Sequence, residues 1–151
     1  MPETVIADAS CLIVLSNIGE IDLLQKAYKK VETTSKVAVE FGEKLPDWVK
    51  LTSPADKSRQ QILELQIDEG EASVIALALE NPGSTVILDD LKARKVAQRL
   101  GLKLTGTIGV IIKAKHRNII SSVKPYLKKI RQTDFHITDE VEKIALKEAG
   151  E

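Results

Sequence analysis

The sequence predicts an α/β protein built around a mostly parallel sheet with helices on both faces. Short apolar runs of strand length alternate with segments in which apolar residues recur at helical spacing. The runs at 5–7 and 85–88 are apolar almost throughout, as in strands that are buried on both faces. Strands that alternate with helices form βαβ units, and such units place the strands parallel to one another.

Length and composition are those of an ordinary globular protein with a single domain, residues 1–151. Hydrophobic residues make up 43% of the chain and charged residues 29%, and 151 residues can bury a full core without disulfides. Aromatic residues are only 3%, which argues against a platform that stacks single-stranded bases. The lone cysteine, Cys11, is expected to be a buried thiol. No signal-like start or apolar run of transmembrane length is present, so we expect a cytoplasmic protein outside the membrane.

The first half of the chain is predicted to contain three strands and five helices. Serine is a preferred N-cap residue and glycine a common helix stop, so these residues set several boundaries. The order is a strand at 5–7, a helix capped by Ser10 and ended by Gly19, a short helix over 21–28, a strand at 31–34, a helix capped by Ser35, extended structure at 48–51, a helix that starts within 53–56, and a very apolar helix at 72–79.

The second half is predicted to contain two strands and four helices. A turn at 81–84 precedes them, and proline in a first helical turn is favourable. The order is a strand at 85–88, a helix at 91–100 ended by Gly101, a strand at 102–105, a helix at 108–116, a helix at 125–131 with Pro125 near its start, and an amphipathic helix at 138–149.

Three acids directly follow predicted strands. Asp8 follows the run at 5–7, and both Asp89 and Asp90 follow the run at 85–88. Ligands of parallel sheets bind at the carboxyl ends of the strands, so we expect these acids on one rim. A simpler role also exists for each position, because Asp8 would suit the cap of the next helix and one of Asp89 and Asp90 the cap of helix 91–100.

Two further acids have unusual surroundings. Glu40 lies among apolar residues of a predicted helix, and Glu71 opens the most apolar helix of the chain. Acids gathered at one rim repel one another, and burial increases the repulsion. A divalent cation removes it, and donors that are all oxygen suit Mg²⁺ or Mn²⁺. The alternatives are a solvated Glu40 and a Glu71 that is favoured only by the helix dipole.

Other chemistries at the ends of parallel strands fail on particular residues. A haloacid-dehalogenase-type phosphatase needs an acid where Ser10 stands, and a receiver domain pairs its acids after the first strand. No GxGxxG or GxxxxGK[ST] motif is present. Gly106 and Gly109 of the segment TGTIGV instead indicate close packing of a strand against a helix.

The ordered segments resemble the PIN-domain nucleases, and most closely a group related to VapC-type toxins of toxin–antitoxin pairs. The matching segments span nearly the whole chain and are VIADASCLIVLSNIGEIDLL, VAVEFGEK, DEGEASVIALALE, VILDDLKARKVAQRLGLKLTGTIGVIIKAK and FHITDEVEKIALKEAGE. The resemblance implies a three-layer α/β/α fold and an endoribonuclease that uses Mg²⁺ or Mn²⁺ to cut RNA. It also implies a homodimer and a small antitoxin protein as partner.

Carried over residue by residue, the resemblance gives the site four acids and one supporting hydroxyl. The first is Asp8, the second Glu40, the third Glu71 (where many members have Asp), the fourth Asp89 or Asp90, and the hydroxyl is Ser10. Because the fourth position has two possible occupants, five residues are candidates both for catalysis and for holding the metal: Asp8, Glu40, Glu71, Asp89 and Asp90. The rival interpretations are a PIN fold that binds RNA or protein without cutting, and a metal-dependent phosphatase or other hydrolase on a similar sheet.

The distribution of charge favours a polyanionic partner. Residues 91–131 contain 12 lysines and arginines and no acid, whereas residues 1–90 contain 8 basic and 16 acidic residues. Phosphate contacts of such a block give affinity without sequence selection. Ordinary solvated helix faces are the alternative. The ten candidates for RNA contact are Arg94, Lys95, Arg99, Lys113, Lys115, Arg117, Lys124, Lys128, Lys129 and Arg131.

Overall fold

A computed structural model describes residues 3–151 and shows five strands and nine helices within them. All five strands are parallel and form one sheet in the order β3-β2-β1-β4-β5. The strands are β1 Thr4–Ala7, β2 Lys30–Thr33, β3 Val49–Leu51, β4 Thr85–Ile87 and β5 Lys103–Thr105. The predicted α/β architecture is therefore confirmed, with the sheet between two layers of helices.

Helices occupy every connection between successive strands. In chain order they are α1 Ala9–Asn17, α2 Leu23–Ala27, α3 Ser35–Phe41, α4 Lys57–Leu63, α5 Glu69–Leu79, α6 Leu91–Arg99, α7 Thr107–His116, α8 Lys124–Arg131 and α9 Asp139–Glu148. Each predicted helix is present, with ends that shift by a few residues. None of the helices within residues 3–151 is both long enough and apolar enough to span a bilayer.

The larger part of the buried core surrounds the sheet. After the first residue of each strand, the side chains of β1 and β4 are fully buried, and α5 is buried along nearly its whole circumference. Cys11 lies in this larger cluster, as predicted for a buried thiol. A second apolar cluster joins α7, α8 and α9. Burial of this extent is the main favourable contribution to folding, so the strand ends that carry the acids are held in place.

Two of the predicted helix caps are wrong. Helix α1 begins at Ala9, so Ser10 lies inside its first turn and Asp8 occupies the N-cap position without making a side-chain cap bond. Helix α3 begins at Ser35 and is capped by Thr34, whose hydroxyl accepts a hydrogen bond from the amide of Val37. The N-cap lies two residues before the predicted serine in α1 and one residue before it in α3, because the chain turns into the helix directly at the rim.

Candidate active site

Asp8 and Asp89 are neighbours at the carboxyl edge of the sheet. Strands β1 and β4 pair with Ala7 opposite Ile87, and the amide of Asp8 donates a hydrogen bond to the carbonyl of Ile87 at 3.2 Å. Each acid is the first or second residue after its strand, so the parallel register brings both to the same place. The predicted common rim is therefore present.

Asp8 is a buried carboxylate with an unsatisfied oxygen. Its residue surface is only 6% exposed, and Oδ1 has no hydrogen-bond partner in the described chain. Burial, together with the nearby charges of Asp68, Glu40 and Asp89, raises the pKa of Asp8 to about 7. A buried acceptor without a partner is costly, so this oxygen indicates a ligand.

Three carboxylate oxygens surround Gly70 near the start of α5. A Cβ atom placed on Gly70 would lie 3.4 Å from Oε1 of Glu40, 3.6 Å from Oδ1 of Asp68 and 3.6 Å from Oδ1 of Asp8. Because each of these oxygens lies within 3.6 Å of the same point, the distance between any two of them is no more than twice 3.6 Å. The N-cap residues of α1 and α5 and a residue of α3, which are distant in sequence, thus converge on one small space that a glycine leaves open.

Glu71 belongs to the same group and also stabilises α5. Its Oε1 accepts a hydrogen bond from the amide of Asp68, and Oδ1 of Asp68 accepts one from the amide of Glu71 at 2.8 Å. This reciprocal arrangement is a capping box. Burial, followed by the charge of Asp68, raises the pKa of Glu71 to about 7. Glu71 therefore has the helix-start role that was considered for it and also faces the acid cluster.

A cavity of about 400 Å³ joins these side chains to the surface. Its acidic and polar lining includes the sequence-predicted Asp8, Ser10, Glu40 and Glu71. Asp68 also lines it, and the far wall is formed by residues 133–135, which follow α8. We refer to this space as the acidic cavity.

Asp89 is held by hydrogen bonds from two sides. Thr107 donates its amide to Oδ1 at 2.8 Å and its hydroxyl to Oδ2 at 2.6 Å, while the hydroxyl of Ser10 donates to Oδ2 at 3.3 Å. A Cβ at position 106 would lie 2.8 Å from Oδ1 of Asp89, so a residue larger than glycine there would require the Asp89 side chain to shift. Ser10, which lines the acidic cavity, thus connects Asp89 to it.

Asp90 has a different role from Asp89. It is the exposed N-cap of α6, and its Oδ2 accepts a hydrogen bond from the amide of Ala93 at 3.0 Å. The expectation that one acid of this pair caps the following helix is met by Asp90. Arg94, four residues after Asp90, donates a hydrogen bond to the carbonyl of Leu88 at 2.7 Å.

The donor set fits a hard divalent cation, although the side chains stand apart. All donors in the acidic cavity are oxygen, which matches Mg²⁺ or Mn²⁺. The unpartnered Oδ1 of Asp8 and the open space at Gly70 are the observations that support such a site. Within residues 3–151, however, no three Asp, Glu, His or Cys side chains are arranged closely enough to hold one ion as they stand. Side-chain rotation would therefore have to accompany binding.

The sequence interpretation missed Asp68 as a site residue. Its candidate site residues did not include Asp68, yet the side chain lies beside Asp8 and Glu40. The spacing of Asp68 and Glu71, three residues apart before an apolar run, is the signature of a capping box and would have placed both at one helix start.

Five of the ten basic residues that were predicted to contact RNA form ion pairs with acidic residues of this chain. Lys113 and Arg117 both pair with Glu3, which precedes β1 and so lies at the sheet edge opposite Asp8. Lys115 pairs with Glu151, Lys129 with Glu20, and Arg131 with both Asp139 and Glu142. Among the described residues, the candidates without an ion pair are Arg94, Lys95, Arg99, Lys124 and Lys128.

Comparison with known proteins agrees with this architecture. A family model described as a PIN domain matches residues 4–151, which is nearly the whole chain. No curated protein matches the sequence. PIN domains are in general nucleases that use divalent metal ions. The parallel sheet, its acids at the carboxyl edge and the extent of the family match agree: the chain belongs to the PIN-domain family.

Proposed function

We propose that this protein is a metal-dependent endoribonuclease whose centre is the acidic cavity. The observation that carries the proposal is the buried, unpartnered Oδ1 of Asp8 within reach of Glu40 and Asp68. A buried carboxylate oxygen without a partner lowers the stability of the fold, and destabilising groups of this kind are typical of functional sites. Mg²⁺ or Mn²⁺ is the ligand that this donor set favours.

The side chains divide into groups by their surroundings. Asp8 and Glu71 are buried acids that release their protons near neutral pH and then bind a cation as carboxylates. Glu40 is more exposed and is placed to bind directly or through water. Asp89 is fixed by Thr107 and Ser10 and supplies a carboxylate of defined orientation.

The chemistry proposed is hydrolysis of a phosphodiester bond in RNA. A bound divalent ion supplies a water of lowered pKa and polarises the scissile phosphate. The protein contributes orientation of the ligands and a cavity that residues 133–135 also line. Basic side chains without ion pairs, such as Lys95 and Lys128, are the candidates for contact with the RNA backbone.

The direct test is cleavage of labelled single-stranded RNA with Mn²⁺ by wild type and by Asp8→Asn. We expect the variant to lose at least about a hundredfold in rate, as removal of a central electrostatic group does in other enzymes. Asp56→Asn is the matched control, because Asp56 is an N-cap aspartate of α4 outside the cavity. Equal cleavage by wild type and Asp8→Asn would reject the nuclease assignment.

A second candidate is a PIN fold that binds RNA or protein without cutting it. In the described chain no group of carboxylates is arranged to hold one ion. This separation of the carboxylates favours the alternative. Retention of RNA by a filter-binding assay, together with the absence of cleavage at any Mg²⁺ or Mn²⁺ concentration, would establish it.

We further propose that the nuclease acts as the toxin of a toxin–antitoxin pair, in the cytoplasm, as a homodimer. The PIN family and the resemblance to VapC-type toxins support this role. Strongly exposed apolar side chains, among them Val39 at 81% and Leu65 at 85%, offer surface for protein partners. Induced expression should arrest bacterial growth, and Asp8→Asn should not. Growth arrest by both variants would contradict a toxin that acts through RNA cleavage.

A further inference from the structure

We infer that Asp68 is a fifth metal-binding carboxylate of the acidic cavity. The inference rests on the proposed function and adds a residue outside the four acid positions given by the family pattern. Its basis is geometric: Oδ1 of Asp68 and the unpartnered Oδ1 of Asp8 lie at the same distance, 3.6 Å, from one point above Gly70. Oε1 of Glu40 lies 3.4 Å from that point.

The capping role of Asp68 accounts for only part of its side chain. The cap employs Oδ1, which accepts from the amide of Glu71. Within residues 3–151 no hydrogen-bond donor reaches Oδ2. The amide end of α5 also favours a negative charge at this position, so the helix start stabilises the acid in the absence of any ligand. A cap needs an acceptor atom but no charge, because serine, threonine and asparagine serve equally well.

The surroundings of Asp68 differ from those of Asp56, another N-cap aspartate that accepts a hydrogen bond from the amide three residues later. Asp56 caps α4 through Oδ1, which accepts from the amide of Arg59, and the guanidinium of the same Arg59 lies 3.8 Å from Oδ2. No ion pair to Asp68 forms within the described chain. The nearby Lys36 instead pairs with Glu69 at 3.3 Å. Asp68 is thus a carboxylate whose neighbours are other carboxylates.

The charge of Asp68 acts on three of those neighbours. Its Oδ1 and the nearest oxygens of Asp8 and Glu40 lie around one point above Gly70, and Glu71 shares its capping box, so the carboxylates repel one another in this space. An exposed acid placed at the centre of such repulsion destabilises the cavity unless a cation is present. Asp68 and Asp8 both line the cavity, and Asp68 is exposed whereas Asp8 is buried, so Asp68 is the more accessible of the two to an ion from solvent.

The experiment is a calorimetric titration of Mn²⁺ into the full chain after removal of metal by a chelator. Four proteins are compared: wild type, Asp68→Asn, Asp8→Asn and the control Asp56→Asn. Asparagine preserves the cap, because its side-chain oxygen still accepts from the amide of Glu71. We expect Asp68→Asn to weaken Mn²⁺ affinity about tenfold or more, Asp56→Asn to leave it unchanged, and both to retain the far-UV circular dichroism of wild type.

The outcomes separate this inference from the proposed function. If Asp68→Asn binds Mn²⁺ as tightly as wild type while Asp8→Asn does not, the inference is overturned and the nuclease proposal stands. If wild type neither binds Mn²⁺ nor cuts RNA, both are overturned. A loss of helical signal in Asp68→Asn would call for Asp68→Ser, a second variant with a good cap, and unchanged affinity in that variant would also overturn the inference.

Discussion

Thr107 holds both carboxylate oxygens of Asp89, one through its amide at 2.8 Å and the other through its hydroxyl at 2.6 Å. The two residues are 18 positions apart, and each follows a neighbouring strand of the sheet. Thr107 is fully buried at the start of α7, so its side chain cannot turn away. Asp89 therefore has a fixed orientation, in contrast to the unpartnered Asp8.

Replacement of Thr107 by valine should remove the shorter of the two hydroxyl hydrogen bonds to Oδ2 of Asp89 and leave only the longer one from Ser10. The volume is nearly preserved, but the carboxylate loses a buried donor, so we expect the free energy of unfolding to fall by about 1–3 kcal/mol. Thr107→Ser keeps the hydroxyl and is the matched control. Urea denaturation measures the stability, and RNA cleavage should fall more for valine than for serine. Equal values for the two variants would show that the hydroxyl does not hold Asp89.

Gly70→Ala should weaken metal binding without lowering the stability of the fold. The new Cβ would meet oxygens of Glu40, Asp68 and Asp8 at 3.4–3.6 Å, which is van der Waals contact rather than a clash. Alanine is favoured over glycine in a helix by up to about 1 kcal/mol, so thermal stability in a chelator should be unchanged or higher. Because the methyl group fills the space between the acids, we expect weaker Mn²⁺ binding by calorimetry. Undiminished affinity would show that the ion is held elsewhere.

Stability in the absence of metal should fall as the pH rises. The pKa values of Asp8 and Glu71 are about 7 in the folded chain, against ordinary values of 3.8 and 4.5. Between these limits the folded chain keeps protons that the unfolded chain releases, so each upward step in pH favours unfolding. The contribution is complete below about pH 4 and is lost as the pH passes through about 7.

Urea denaturation in EDTA at several pH values between 5 and 8 measures this slope. Asp8→Asn removes one of the two groups, so its slope over the same interval should be shallower than that of wild type. Mn²⁺ should reverse the trend, since only the deprotonated carboxylates bind it. An identical slope in wild type and Asp8→Asn would exclude a raised pKa for Asp8.

The strand ends were the most predictable part of this protein. Apolar runs located β1 and β4, and the parallel register then placed Asp8 beside Asp89 without further information. The exact helix starts were less predictable, because propensity favours Ser10 as a cap while the strand geometry places Asp8 there. Local sequence determines the type of element, and the sheet determines where it begins.

Long-range ion pairs could not be predicted. Lys113 and Glu3 are 110 residues apart, and only the folded sheet brings the end of α7 to the start of β1. The sequence therefore presented residues 91–131 as a single basic block, although several of its side chains are neutralised by acids from the termini. For Asp68, the sequence contained the capping box but not the proximity of Glu40, which depends on the packing of α3 against α5.

The placement of the basic residues predicts that only some of them affect RNA binding. Lys128 is exposed on α8, which leads into residues 133–135 of the cavity wall, and it has no ion pair in the described chain. Lys128→Ala should weaken binding of single-stranded RNA and lower the slope of log affinity against log salt by about one. The comparison is Lys113→Ala, in which the contact with Glu3 is lost at the opposite edge of the sheet.

Lys113→Ala should leave RNA affinity nearly unchanged and reduce the free energy of unfolding instead. Lys113 is partly buried between Glu3 and the ring of Tyr28, so its removal leaves the Glu3 carboxylate with one cation fewer. We expect a loss of about 1 kcal/mol for a partly exposed pair of this kind. Fluorescence anisotropy with labelled RNA at several salt concentrations and urea denaturation are the two measurements. If Lys113→Ala weakened RNA binding as much as Lys128→Ala, the RNA path would have to extend over the amino edge of the sheet, away from the acidic cavity.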